Sequence, residues 1–178
     1  DCKTMKNINI SYLNDLYRDD PSQVDKVFVD LLARLSGPDD SNVWIARVPD
    51  AEILEAVAGL ASHNSENLPL WGVPFAVKDN IDVAGMPTTA GCPEFAYTPD
   101  VSAPGVDRLI AAGAIWIGKT NLDQFAAGLV GTRSPHGACA NSIDPAYVSG
   151  GSSSGSAVAV ASGCVAFSLG TDTAGSGR

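Results

Sequence analysis

Beyond Leu70 the chain alternates short apolar runs with Gly/Pro turns and helix-like stretches, and this alternation limits the fold more than any other feature of the sequence. Gly72-Val73-Pro74-Phe75-Ala76-Val77 reads as a strand, Asp107 to Ala112 as a helix, and Ala114-Ile115-Trp116-Ile117-Gly118 as a second strand. Ala157 to Ala161 follows a glycine/serine loop and reads as a buried helix, with Val165 to Leu169 as a buried strand after it. Strands and helices taken in turn build layered α/β domains. The N-terminal part differs in texture. Val24, Val27, Phe28, Leu31, Leu32 and Leu35 have helical spacing, and Asp20-Pro21-Ser22 is a start signal, so a helix is expected from Pro21 to Leu35. Gly37-Pro38-Asp39-Asp40 ends it. Val43 to Val48 reads as a short strand and Asp50 to His63 as a second helix, with Asp50 as its N-cap. Residues 1–67 are thus expected to form an N-terminal helical segment and residues 68–178 the α/β core.

Composition narrows the possible roles. The chain has 178 residues, of which 45% are hydrophobic, enough for one domain with its own core. Its net charge of −9 argues against nucleic acid or an anionic membrane as a partner. No apolar run approaches the roughly 18 residues of a membrane span. Asp1-Cys2-Lys3-Thr4 leads into polar sequence and not a secretory leader. Cys2, Cys92, Cys139 and Cys164 form no CxxC pair, so reduced thiols in the cytoplasm are expected. His63 and His136 stand far apart, outside any metal-ligand spacing, so a hydrolase built on this chain is expected to work without zinc or any other cofactor.

Three segments have the residue types for chemistry. In Ala76-Val77-Lys78-Asp79-Asn80 a lysine closes an apolar strand. Burial there would disfavour its ammonium form and make it a usable base. A snorkelling lysine, or one paired with Asp79, is the alternative. Ser149-Gly150-Gly151-Ser152-Ser153-Ser154-Gly155-Ser156 has the composition of a linker, yet it runs directly into Ala157-Val158-Ala159-Val160-Ala161. Such a loop opening a buried helix presents hydroxyls and backbone N–H groups to an anion. It lacks the Gly-Lys-Ser/Thr ending of a phosphate-binding P-loop. Gly170-Thr171-Asp172-Thr173-Ala174-Gly175-Ser176-Gly177-Arg178 sets small residues around one serine, where consecutive N–H groups form either an oxyanion hole or a tight surface turn.

The three segments together, in this order and at this spacing, resemble the amidase-signature family from about Leu68 to Arg178. The resemblance implies a mixed, twisted β-sheet covered by helices on both faces and preceded by N-terminal helices. It maps the family's general base onto Lys78, its bridging serine, which follows a cis peptide bond, onto Ser152, and its nucleophile onto Ser176. The oxyanion-hole amides map onto Thr173, Ala174, Gly175 and Ser176, and Asp172 with Arg178 is expected to brace the nucleophile turn. Pro74 to Gly85, Pro87-Thr88-Thr89-Ala90-Gly91-Cys92, Lys119-Thr120-Asn121-Leu122-Asp123-Gln124-Phe125-Ala126 and Ala174-Gly175-Ser176-Gly177-Arg178 resemble the branch that hydrolyses allophanate. Other family members usually read Gly-Gly-Ser-Ile-Arg in the last of these segments.

That branch implies a small amide, allophanate, as substrate, release of ammonia through an acyl-enzyme, and coupling to a urea carboxylase in urea or cyanuric acid degradation. A homodimer is the expected assembly. Another amidase, a glutamyl-tRNA amidotransferase A-type subunit, or an inactive assembly module are the alternatives. The family domain is longer than this chain, so the chain is expected to be truncated, inactive alone, and to lack the residues that grip a substrate carboxylate. For the lysine to act as a base it must be neutral in the working state, so Asp79 and Asp172 are expected to point away from it.

Overall fold

The computed structural model describes residues 8–62 and 67–176. Two amphipathic helices come first. α1 (Ile10–Asp19) starts where the Asn9 side chain accepts the Tyr12 N–H at 2.8 Å, and it buries Leu13 and Tyr17, one turn apart. The sequence reading places no helix here, although Ile10, Tyr12, Leu13, Leu16 and Tyr17 are apolar. α2 (Gln23–Leu35) agrees with the expected helix to within two residues and buries Val24, Val27, Phe28, Leu31 and Leu32 along one stripe.

The sheet has four strands in the order β1-β3-β2-β4. β1 (Trp44–Arg47) runs antiparallel to β3 (Ile115–Thr120), whereas β2 (Pro74–Lys78) is parallel both to β3 and to β4 (Phe167–Leu169). The segment before residue 68 therefore contributes an edge strand as well as helices. Parallel neighbours need a crossover, and α4 (Pro104–Ala111) lies in the one between β2 and β3, with Pro104 at its first position. α3 (Asp50–Gly59) differs from expectation at both ends. Pro49 occupies the cap position, and Asp50 lies inside the first turn, where it pairs with Arg47 at 2.6 Å. A 3₁₀ turn, Leu60–Ser62, follows it, and the expected end at His63 lies outside the described residues.

β2 is buried along its whole length, and its pleat divides the core. Phe75 and Val77 meet Val106 of α4 on one face. Ala76 belongs to the larger cluster formed with α1, α2, α3 and α5 on the other. Helices thus cover both faces, as expected. β4 corrects the sequence reading. It is three residues long and half-exposed at one edge of the sheet, its Phe167 stacked on Phe75 at 5.4 Å, and only Val165 of the expected buried strand is fully buried.

α5 (Ser154–Ala161) also corrects it. The helix begins inside the Gly/Ser run and not after it, and it buries Ser154, Gly155, Ser156, Val158 and Ala159 while Ala157 and Val160 are exposed. The reason is close approach. A Cβ at Gly155 would lie 2.6 Å from both the Asn121 nitrogen and the Val43 oxygen. Only glycine lets the first turn of α5 sit on the end of β3.

Candidate active site

The C-terminal ends of the parallel strands β2 and β4 and the N-terminus of α5 converge, which is where open α/β sheets place ligands. Strand alternation directs Lys78, the last residue of β2, to the α5 side of the sheet and sends its neighbour Asp79 to the other. The Lys78 side chain is fully buried. Its Nζ donates to Ser152 Oγ at 2.8 Å, Ser153 Oγ at 2.9 Å and Thr171 Oγ1 at 2.7 Å. Asp79 pairs instead with Lys119 at 3.3 Å and accepts hydrogen bonds from the backbone and hydroxyl of Thr89. Lys119 also donates to Thr88 Oγ1, so the second buried cation is occupied on the far side of the sheet.

Ser152 follows a cis peptide bond from Gly151 and is fully buried. Its Oγ lies 2.9 Å from Ser176 Oγ, so the three residues singled out in the sequence form one continuous chain, Lys78 Nζ to Ser152 Oγ to Ser176 Oγ. Ser176 Oγ is also within 3.4 Å of the Thr171 carbonyl oxygen. Burial pulls the Lys78 pKa down to about 8, and the negative charge of Asp123 opposes that shift. A buried amine ringed by hydroxyls, with no carboxylate bonded to it among the described residues, can shed its proton within reach of neutral pH.

Ser176 stands at the rim of a cavity of about 610 Å³, whose wall includes Leu129, the Gly150-Gly151 turn and Asp172. In the turn that carries Ser176, Gly175, with φ near 97°, directs its N–H to Asp172 Oδ1 at 2.7 Å. Thr173 and Ala174 are exposed on the same turn. Asp172 thus braces the turn through the backbone. Arg178, its expected partner, lies outside the described residues.

Two contacts of Lys78 were not singled out from the sequence. Ser153 lies in the Gly/Ser run and Thr171 in the nucleophile segment, but nothing in the composition of either marks these hydroxyls as facing the amine. The Ser153 hydroxyl is directed to the Thr171 carbonyl at 3.3 Å, and Asn80 Nδ2 reaches Thr171 Oγ1 at 3.2 Å. Of the two histidines, His136 lies on the loop after β3, outside the cavity wall, and His63 lies outside the described residues.

A lysine, a serine after a cis bond and a second serine thus stand in series on an α/β sheet. The family model for amidases matches residues 29–178, and the chain belongs to the amidase family. It is 58% identical over 138 residues to urea amidolyase of Saccharomyces cerevisiae, a match that covers 77% of this chain and 8% of that protein. It is 42% identical over 151 residues to the A-type subunit of the glutamyl-tRNA(Gln) amidotransferase of Chloroflexus aurantiacus, covering 83% of this chain and 31% of that one. The fold is similar to that of Kluyveromyces lactis allophanate hydrolase, with a TM-score of 0.86 and 47% identity over 96% of this chain and 28% of that chain. The chain therefore spans only a small part of the length of the relatives it matches.

Proposed function

We propose that this chain supplies the nucleophile, relay and base of an amidohydrolase that cleaves the terminal C–N bond of allophanate. The observation that carries the reading is the unbroken line from Lys78 Nζ through Ser152 Oγ to Ser176 Oγ, at 2.8 and 2.9 Å. Ser176 Oγ adds to the substrate carbonyl while its proton passes to Ser152, and the proton of Ser152 passes to neutral Lys78. Collapse of the adduct breaks the C–N bond, and the proton returns along the same line to the departing nitrogen, which leaves as ammonia. Water then enters, gives its proton to the relay and cleaves the Ser176 ester. The product, an N-carboxylated carbamate, loses carbon dioxide without help. The Thr173, Ala174 and Ser176 amides are assigned to the developing oxyanion.

Two observations support allophanate over other amides. The urea amidolyase of S. cerevisiae has higher identity than the amidotransferase of C. aurantiacus, 58% against 42%. Among structures with the same fold, allophanate hydrolase of K. lactis is 47% identical, against 28% for the peptide amidase of Stenotrophomonas maltophilia. Coupling to a urea carboxylase belongs to the same reading. The test is ammonia release from allophanate and from glutamine by a chain extended to the full family length, each with Ser176 and with Ser176→Ala. Release from allophanate that the variant loses supports the proposal. Release from glutamine with none from allophanate moves the chain to the amidotransferase class. Release unaffected by Ser176→Ala refutes the relay.

A further inference from the structure

Asp123 lies outside the three segments that carry the relay, yet it is a buried carboxylate directly behind them. No salt bridge neutralises it among the described residues. Its oxygens are held by backbone instead, Oδ1 by the Arg133 N–H at 2.8 Å and Oδ2 by the Gly131 and Val130 N–H groups at 3.0 and 3.3 Å. Its own N–H donates to the Ser152 carbonyl at 3.0 Å, and Gly151 donates to the Leu129 carbonyl at 3.0 Å. One residue therefore joins the loop that walls the cavity at Leu129 to the turn that carries Ser152.

The packing around it leaves no slack. A Cβ at Gly128 would come within 2.5 Å of Asp123 Oδ2, and a Cβ at Gly151 would collide with the same oxygen. Both glycines are there because the carboxylate occupies the space a side chain needs. Asparagine in its place would present an amide nitrogen to backbone donors that require an acceptor.

We propose that Asp123 is a positioning residue with two effects: its carboxylate fixes the Ser152 turn, and its negative charge, buried behind that turn, favours the ammonium form of Lys78. This rests on the reading of Lys78 as the base. The charged groups around the amine leave Asp123 as the one that acts. On the far side of β2 and β3, Asp79 and Lys119 neutralise one another. α5 and β4 carry no ionisable side chain. In the nucleophile turn Asp172 is exposed and accepts the Gly175 N–H. The guanidinium of Arg133 is exposed and donates to the Ala127 carbonyl. The attraction of Asp123 for the ammonium of Lys78 works against the effect of burial. It holds the lysine pKa higher than burial alone would.

The experiment is the pH dependence of kcat/KM for wild type, Asp123→Asn and Asp123→Glu, with Lys78→Ala alongside. Removing the charge moves the acid limb of Asp123→Asn down by about half a pH unit or more, while the disturbed turn lowers kcat at least about tenfold. Asp123→Glu keeps the charge but overfills the space beside Gly128 and Gly151. It therefore loses kcat with its acid limb unmoved, so that if Asp123→Asn does not fold, a shifted acid limb in Asp123→Glu overturns the inference. A merely structural role lowers kcat in both variants and leaves both limbs in place. That result, or a normal kcat in Asp123→Glu, overturns the inference while an inactive Lys78→Ala leaves the relay intact. A Lys78→Ala variant that retains turnover refutes the relay itself.

Discussion

Replacing Lys78 with methionine separates two consequences of burying one amine. In the folded protein its pKa is lowered by burial to about 8 from the ordinary 10.5. Below about pH 8 both folded and unfolded chains hold the proton, so stability does not depend on this group's titration there. Between the two values the unfolded chain still holds a proton that the folded chain has released. Stability therefore rises with pH by about 1.4 kcal/mol per unit, on the order of 3 kcal/mol in all, and levels off once both states are neutral. Lys78→Met keeps the length and loses the titration. The stability of wild type minus that of the variant, from urea unfolding followed by tryptophan fluorescence, is expected to grow by about 3 kcal/mol between about pH 7.5 and 10.5 and to be flat below. Lys119 is also displaced downward by burial, but it is common to both proteins and drops out of the difference. Activity reads the same event from the other side. In wild type, kcat/KM is expected to rise about tenfold per pH unit and to level off near pH 8, while Lys78→Met has no turnover on either limb. A stability difference constant to within about 0.5 kcal/mol across this range would show that Lys78 is not buried as described, and the base assignment would lose its physical footing.

Other perturbations give sharp outcomes. Ser176→Ala is expected to abolish labelling by a fluorophosphonate probe and to cut turnover by several orders of magnitude with the circular dichroism spectrum unchanged; labelling elsewhere at the wild-type rate contradicts the assignment. Thr171→Val removes one acceptor from Lys78 and the partner of Asn80 Nδ2, and a loss of about 1–3 kcal/mol in transition-state or folding free energy is expected from kinetics and denaturation. Gly155→Ala forces backbone apart where α5 meets β3, so both Tm and kcat should fall; a variant with wild-type values of both disproves the close approach. Phe28→Ala empties a fully buried site under α2 and is expected to cost about 3–5 kcal/mol in urea unfolding, with catalysis unchanged once folded.

The features legible in the sequence are those with a local cause. β2 and β3 are dense apolar runs bounded by turns, and α2 has a start signal and an apolar stripe, so their places were evident. α1 was missed because its burial depends on Tyr17 packing edge-on against Trp71, a partner far along the chain. α5 was started too late because its first residues are glycine and serines, poor helix formers that are helical here only because β3 holds them at close range. Lys78, Ser152 and Ser176, which the fold brings together, stand out in the sequence through their flanking pattern. Ser153, Thr171 and Asp123 do not, because their importance lies in which way a side chain faces once strands and loops have met. Nor does the composition of the turn show that the Gly175 N–H meets Asp172.

The alternation at the end of β2 makes the site sensitive to reading frame in a structural sense. Lys78 faces the serines and Asp79 faces Lys119 only because consecutive residues of a strand point opposite ways. Inserting one residue between Val77 and Lys78 would put the inserted residue in the place that faces Ser152 and turn Lys78 to the other face, leaving two lysines together behind the sheet. Inserting two would restore the parity, though not the reach. Surface loops away from the site can change in length by odd or even counts alike, but at this junction odd and even differ in kind. Drift in length should therefore be confined to the segments beyond Asn80 and before Trp71, with the stretch between them held to a fixed number of residues.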